Sequence, residues 1–284
     1  MQLKILFNVL AGLLAFMGSM AFAQDGQTSR PLVVATIKPL AIIAKSALGE
    51  SADVEYLQAS NQSPHDLSLP VSALEKLDRA DLVLWIGEDF EARVAKTLNR
   101  IPVSRRITAL ELPLLASDTE TARQDHLGVD PHVWLNPENA NVIAKAIQKK
   151  LGRPLKNIIT DNQVAELAAQ LVPFAKQNYL THHDAFGHFV STFNLSAGMS
   201  IRDASGGQQG AKTQYLLRKT ATKNNARCIF VEPQYADKDA WVLAQQLQLP
   251  LKPLDPQGFD QRLTADGYQA FLSGLAVQFK ACFE

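Results

Sequence analysis

Residues 32–57 read LVVATIKPLAIIAKSALGESADVEYL. The run 32–36 is short and apolar, which predicts a buried strand. Pro39 then fits a helix start, because a proline in the first turn gives up only an N–H that has no helical partner. Leu40, Ile42, Ile43 and Leu48 supply one apolar helix face. A second strand follows at 54–57. Strand, helix and strand in this order predict a parallel pair joined by a crossover helix.

The same grammar continues along the chain. A polar loop, 59–69, leads to Pro70, which opens a helix with Val71, Leu74 and Leu77 on one stripe. A strand at 82–86 and a helix at 90–98 come next. The stretch 137–151 is amphipathic through Val142, Ala146, Ile147 and Leu151. In the second half, strands are expected at 178–181, 229–232 and 251–254. Helices are expected at 185–193, 215–222, 240–247 and 265–279. The fold class is therefore α/β, with mainly parallel sheets flanked by helices. Gly152, Pro154 and Pro173 interrupt the pattern around a helix-prone piece, 161–172. This predicts an N-terminal lobe, 31–151, a helical connector, 152–177, and a C-terminal lobe, 178–284.

Composition narrows the function classes. The 284 residues include 28 Lys and Arg against 28 Asp and Glu, and 46% are hydrophobic. That is a globular profile, and it argues against disorder, collagen or a coiled coil. Zero net charge and no long basic run give no sign of a nucleic-acid partner. At the N-terminus, Lys4 precedes an apolar run, 5–17, and Ala21-Phe22-Ala23 follows. A basic start, an apolar middle and a small-residue exit predict a secretory signal peptide, 1–23, cleaved after Ala23. The alternative is a retained membrane anchor. The expected compartment is the periplasm. The two cysteines, Cys228 and Cys282, would suit a disulfide in such an oxidising space. Two buried thiols are the alternative.

Six histidines are present, and their places carry the chemistry. His65 lies in Ser63-Pro64-His65-Asp66, in the loop after the second strand. His132 lies in Asp130-Pro131-His132-Val133-Trp134, before a helix. His183 sits where a strand hands over to a helix, and Asp255 directly follows a strand. In open α/β sheets such positions lie at the carboxyl ends of strands, where ligands bind. Three imidazoles and a carboxylate match tetrahedral zinc. Each imidazole would need an acceptor for its second ring nitrogen, with Asp66, Asp130, Asp184 and nearby carbonyls as candidates. No compact spacing such as H-E-x-x-H or C-x-x-C occurs. The bland reading of each residue, a capping or surface histidine and a turn aspartate, stays open on spacing alone.

Several blocks occur in a fixed order: Val33-Val34-Ala35-Thr36-Ile37-Lys38-Pro39, Pro64-His65-Asp66-Leu67-Ser68-Leu69, Ala80-Asp81-Leu82-Val83-Leu84-Trp85-Ile86-Gly87, His132-Val133-Trp134-Leu135-Asn136-Pro137, His183-Asp184-Ala185-Phe186-Gly187, Val231-Glu232-Pro233-Gln234 and Leu254-Asp255-Pro256. Together they resemble the solute-binding proteins of zinc and manganese ABC importers, nearest the periplasmic zinc-uptake type. The paired cysteines resemble that subgroup too. The resemblance implies two α/β lobes joined by a helix, with the metal between them. It places His65, His132 and His183 on the three histidine ligand positions. Some zinc members use a Glu just before the first histidine, where this chain has Pro64. Others use a carboxylate at the Leu-Asp-Pro motif, so Asp255 is the implied fourth ligand, with water as the alternative. Many zinc members carry a His- and acid-rich loop before the second ligand. Here the stretch 117–129 offers only His126 among a few acids. The connector is shorter than the family's usual long helix.

The implied activity is capture of Zn²⁺ and its delivery to an ABC transporter membrane permease, by a monomer and without catalysis. Manganese or iron is the alternative cargo, although manganese calls for more carboxylates than Asp255 and, at the margin, Glu232. A zinc-dependent hydrolase is the enzymatic alternative, with Glu232 as the base to test. His182 and His188 are expected to stand outside the ligand set.

Overall fold

A computed structural model describes residues 30–59, 62–117, 129–203, 205–235 and 238–284. The expected signal peptide and its cleavage point lie outside these residues, as does His126. Among the described residues, no helix is long and apolar enough to cross a membrane.

Two four-stranded parallel sheets are built in sequence from the two halves of the chain. The first contains β1 (Leu32–Ala35), β2 (Asp53–Tyr56), β3 (Leu82–Trp85) and β4 (Arg106–Thr108), in the order β2-β1-β3-β4. The second contains β5 (Leu180–His183), β6 (Met199–Arg202), β7 (Ile229–Val231) and β8 (Leu251–Pro253), in the order β6-β5-β7-β8. Every ladder is parallel, with Val33 opposite Val54 and Leu82, and Leu180 opposite Met199 and Ile229. The central strand β3 is buried along its whole length, the pattern expected when helices cover both faces.

The helices are α1 (Lys38–Leu48), α2 (Val71–Arg79), α3 (Ala92–Leu98), α4 (Pro137–Lys150), α5 (Asp161–Leu171), α6 (Gly187–Thr192), α7 (Ala211–Lys223), α8 (Lys238–Leu247) and α9 (Gly267–Lys280). Local chemistry sets several of their ends. Asn136 caps α4, its side chain accepting from the Glu138 and Asn139 N–H groups, with Pro137 in the first turn. Thr160 and Gln163 form a capping box on α5. The expected stripe on α2 needs correction. Val71 is 76% exposed and Leu74 43%, while Ala73 and Leu77 face the core.

The edge strands β4 and β6 were not expected from the sequence. Both are short, and polar residues interrupt them, as in Met199-Ser200-Ile201-Arg202. Their periodicity is too brief to register.

One hydrophobic cluster runs through both halves. It includes Val33, Leu40 and Ile43 from β1 and α1, Ile143 and Ile147 from α4, and Phe230, Phe271 and Leu275 from the second half. Helix α9, from the end of the chain, packs against both α1 and α5. Polar ties cross at the same place. Ser46 accepts the Tyr268 backbone N–H (3.0 Å), and the buried Lys38 ammonium donates to the Phe259 carbonyl.

Cys228 and Cys282 form a disulfide, with Cα atoms 5.8 Å apart and a sequence separation of 54. It pins the end of α9 to the start of β7. For a loop of that size, the chain-entropy model gives about 4 kcal/mol of stabilisation.

Candidate metal centre

The topology prepares two crevices. Strand order reverses between β1 and β3 in one sheet and between β5 and β7 in the other. Ligands in open α/β folds bind outside the carboxyl ends of strands at such reversals. His183 is the last residue of β5, and Glu232 directly follows β7, so the two flank the second crevice. His65 is carried by a 3-10 turn, Pro64–Asp66, in the loop after β2. His132 immediately precedes another such turn, Val133–Leu135, which feeds α4.

The three histidines converge. One nitrogen from each of His65, His132 and His183 lies within 4.8 Å of the others, a group that could hold a metal ion. The Nε2 atoms of His132 and His183 are 3.4 Å apart. Ring centroids are 5.3–5.6 Å apart in all three pairs. His132 and His183 are buried, and the buried Nε2 of His65 has no hydrogen-bond partner. A buried polar atom without a partner costs free energy, and a cation among the three lone pairs would remove that cost. Phe90 stands against His65 at 4.5 Å and Trp134 against His132 at 5.3 Å, giving the group an aromatic floor.

Two buried carboxylates orient the rings. The Nδ1–H of His132 donates to Asp130 Oδ1 (2.8 Å), which also accepts the His132 backbone N–H (3.0 Å). The Nδ1–H of His183 donates to Glu232 Oε1 (2.5 Å). The Gln234 amide donates to Glu232 Oε2 (2.7 Å), so both carboxylate oxygens are held. With Nδ1 occupied in this way, the Nε2 lone pair is the one left to bind. Asp130 was a candidate acceptor from sequence. Glu232 was read instead as a base or a marginal ligand, and its place at the end of the strand beside β5 was the signal available.

The remaining candidates are placed elsewhere. Asp255 does not join the group. Its carboxylate oxygens accept the backbone N–H groups of Gln257 (2.8 Å) and Phe259 (2.7 Å), closing a turn after β8. The Nε2 of His188 reaches the Asp130 carbonyl (3.1 Å). The His182 ring packs on Tyr235 with centroids 4.6 Å apart. Neither belongs to the cluster.

Burial favours the neutral imidazole at His65 and His183. Burial lowers His183 to about 4, and burial with the neighbouring His132 and His183 holds His65 well below the ordinary range. Burial also lowers His182 to about 4. Burial pushes the Glu232 carboxyl well up, against the pull of His132 and the Gln234 amide. At Asp130 burial works against the charge, but the His132 hydrogen bonds and the nearby imidazoles outweigh it and leave the carboxyl below its usual value.

A stability profile follows. Unfolding releases His182 and His183 to take up protons near pH 6.5, whereas the folded state binds them only near pH 4. Their contribution is therefore full above pH 6.5 and lost as pH falls towards 4. Each contributes a slope of about 1.4 kcal/mol per pH unit in that window. Glu91, raised to about 7 by burial, has the opposite sign. Its protonated form stabilises the fold below about 4.5, and that contribution is lost as pH rises to 7. Four imidazoles held low by burial, His65, His182, His183 and His188, against three carboxyls held high, Glu91, Glu232 and Asp255, predict a denaturation midpoint that rises with pH between 4 and 6.5 in the metal-free protein. Urea titrations at several pH values check this, and a midpoint falling over that range would contradict it.

Comparison with known proteins agrees with this architecture. Residues 33–282 match the family described as zinc-uptake complex component A, periplasmic. The chain is 28% identical over 286 residues to the high-affinity zinc uptake system protein ZnuA of Haemophilus ducreyi, covering 88% of this chain and 92% of that one. It is 28% identical over 291 residues to the protein of the same name from Yersinia pestis, covering 89% and 91%. A solved structure of a ZnuA deletion mutant with zinc bound superimposes with a TM-score of 0.73 at 22% identity, over 89% of this chain and 96% of that one. With the match running through both sheets and every residue of the histidine cluster, the chain belongs to the family of periplasmic zinc-uptake component A proteins.

Proposed function

We propose that this protein captures Zn²⁺ outside the cytoplasmic membrane and hands it to the membrane permease of an ABC importer. The ligands on this reading are the Nε2 atoms of His65, His132 and His183. The observation that carries it is the convergence of three largely buried imidazoles, two of them oriented by buried carboxylates. Two Zn–N bonds of about 2.0–2.1 Å meeting at the tetrahedral angle put their nitrogens about 3.3–3.4 Å apart. The His132 and His183 Nε2 atoms are separated by 3.4 Å.

Water completes the tetrahedron on this reading, because the Asp255 oxygens are already engaged by backbone N–H groups. The same engagement bears on manganese, which favours oxygen donors. Glu232, the other carboxylate at hand, is held by His183 and Gln234. That hold also leaves Glu232 poorly suited to act as a hydrolytic base. The relatives named for zinc uptake support the same cargo. Export by the segment 1–23 would place the mature chain in the periplasm.

Two measurements test the reading. The mature protein should take up one equivalent of Zn²⁺ in competition with a chelating dye, and should prefer it to Mn²⁺. Deleting its gene should slow growth in zinc-depleted medium, with added zinc restoring it. Absence of tight zinc binding, or growth indifferent to zinc supply, would reject the proposal.

A further inference from the structure

We propose that the hydroxyls of Ser63 and Tyr235 form a latch across the metal site that slows release of the bound ion. The Tyr235 Oη and Ser63 Oγ atoms are 3.2 Å apart, at a sequence separation of 172. Ser63 stands at the N-cap position of the 3-10 turn that carries His65, with its side chain free of that turn's N–H groups, and is only 8% exposed. Tyr235 belongs to the turn after β7, its N–H donating to the Glu232 carbonyl (3.2 Å).

That turn already holds the opposite side of the cluster. Glu232 accepts from His183, and Gln234 donates to Glu232. The Tyr235 ring packs against His183 with centroids 5.4 Å apart. One short segment, 232–235, therefore grips His183 directly and the His65 turn through a single hydroxyl pair. Gly206, at φ +78°, leaves room for that hydroxyl: a Cβ there would stand 3.0 Å from Tyr235 Oη.

The location of the latch matters because the two halves share one core. Cluster residues from β1 and α1 pack with residues of α9 and the second sheet, so a wide hinge opening would expose a large apolar surface. Release by local movement of the His65 turn costs much less. His65 itself is only partly buried, whereas His132 and His183 are buried. Among the described residues, two other side-chain ties hold this turn, both at the surface: the Gln62 amide donates to the Asp66 carbonyl (3.1 Å), and Asp66 pairs with Arg93 (2.9 Å), with both side chains of that pair more than 60% exposed; exposed pairs contribute little. The part-buried hydroxyl pair is then the tie that joins this turn to the segment holding His183.

The experiment compares Tyr235→Phe, Ser63→Ala and the double variant with the parent protein. Tyr235→Phe keeps the ring against His182 and His183 and removes one oxygen. Zinc release is followed by stopped-flow capture with excess chelator. Loss of one net hydrogen bond predicts release about five-fold faster in each single variant. Association should be unchanged, and the double variant should release no faster than the singles. Amide hydrogen exchange in the metal-free proteins is the second readout, with faster exchange expected at 62–67 and 232–235 in Tyr235→Phe.

The release arm rests on the zinc-binding reading above, while the exchange arm does not. If the parent binds no zinc, that reading falls and exchange alone decides the latch. Unchanged exchange in Tyr235→Phe, release at the parental rate, or additive effects in the double variant would each overturn it.

Discussion

Replacing His132 by Ala is expected to lower zinc affinity by more than about 100-fold, since even the orienting partners of metal-bound histidines are worth about 10–100-fold each. His132 is fully buried, and its Nε2 faces that of His183 at 3.4 Å. Truncation removes one lone pair of three and leaves the Asp130 carboxylate buried without its imidazole donor. Water could enter the gap, but it would replace the ring without the preset direction that Asp130 imposes. Asp255→Asn is the informative companion. The Asp255 oxygens serve backbone N–H groups of its own turn, so the variant should retain zinc affinity within a few-fold. Competition against a chelating dye reads both. A loss at Asp255 matching that at His132 would mean that the carboxylate leaves its turn to reach the ion. An unaffected His132→Ala would remove the cluster from consideration altogether.

The alternation of strand and helix was legible because it depends on local periodicity. The runs at β1, β3 and β7 are apolar and bounded by helix signals, and each forms a central strand. The unrecognised β4 and β6 are edges that gain their hydrogen bonds from a neighbour in space, Val83 with Arg106 and Leu180 with Met199. Nothing in three or four mixed residues announces that neighbour. The stripe expected on α2 failed for a related reason. Val71 and Leu74 repeat at helical spacing, but the sheet face that α2 covers is met by Ala73 and Leu77.

The site divides along the same line. His65, His132 and His183 stand out because each follows a strand or precedes a helix, where open sheets present their loops. Asp255 shares that placement, yet its oxygens turn to Gln257 and Phe259. Sequence position fixes which end of a strand a residue occupies, and it does not fix which donors a carboxylate finds there. The pairing of Glu232 with His183 depends on β7 lying beside β5. That adjacency is a property of the folded sheet.

Trp134→Ala is expected to destabilise the metal-free protein by about 4–5 kcal/mol, at the upper end of the range for truncating a buried aromatic. Trp134 is fully buried between the two halves. Its ring stands 5.3 Å from His132 and 5.9 Å from Phe90. Its indole N–H donates to the Pro256 carbonyl (2.7 Å), and its own carbonyl accepts from the Tyr268 hydroxyl (2.8 Å). The Ala variant thus opens a cavity and leaves a buried carbonyl without a donor, costs that add. Trp134→Phe separates them: it fills most of the space and forfeits the N–H, for a loss of about 1–3 kcal/mol. Urea denaturation of both variants measures the difference. Zinc binding then distinguishes two roles for the residue. His132 is two positions away and flanks the same turn, so Trp134→Ala should also weaken affinity, while Trp134→Phe should leave it within a few-fold. Equal midpoints for Trp134→Ala and the parent would mean that the packing of α9 on α1 and the Ser46 and Lys38 ties hold the seam between the halves without the indole.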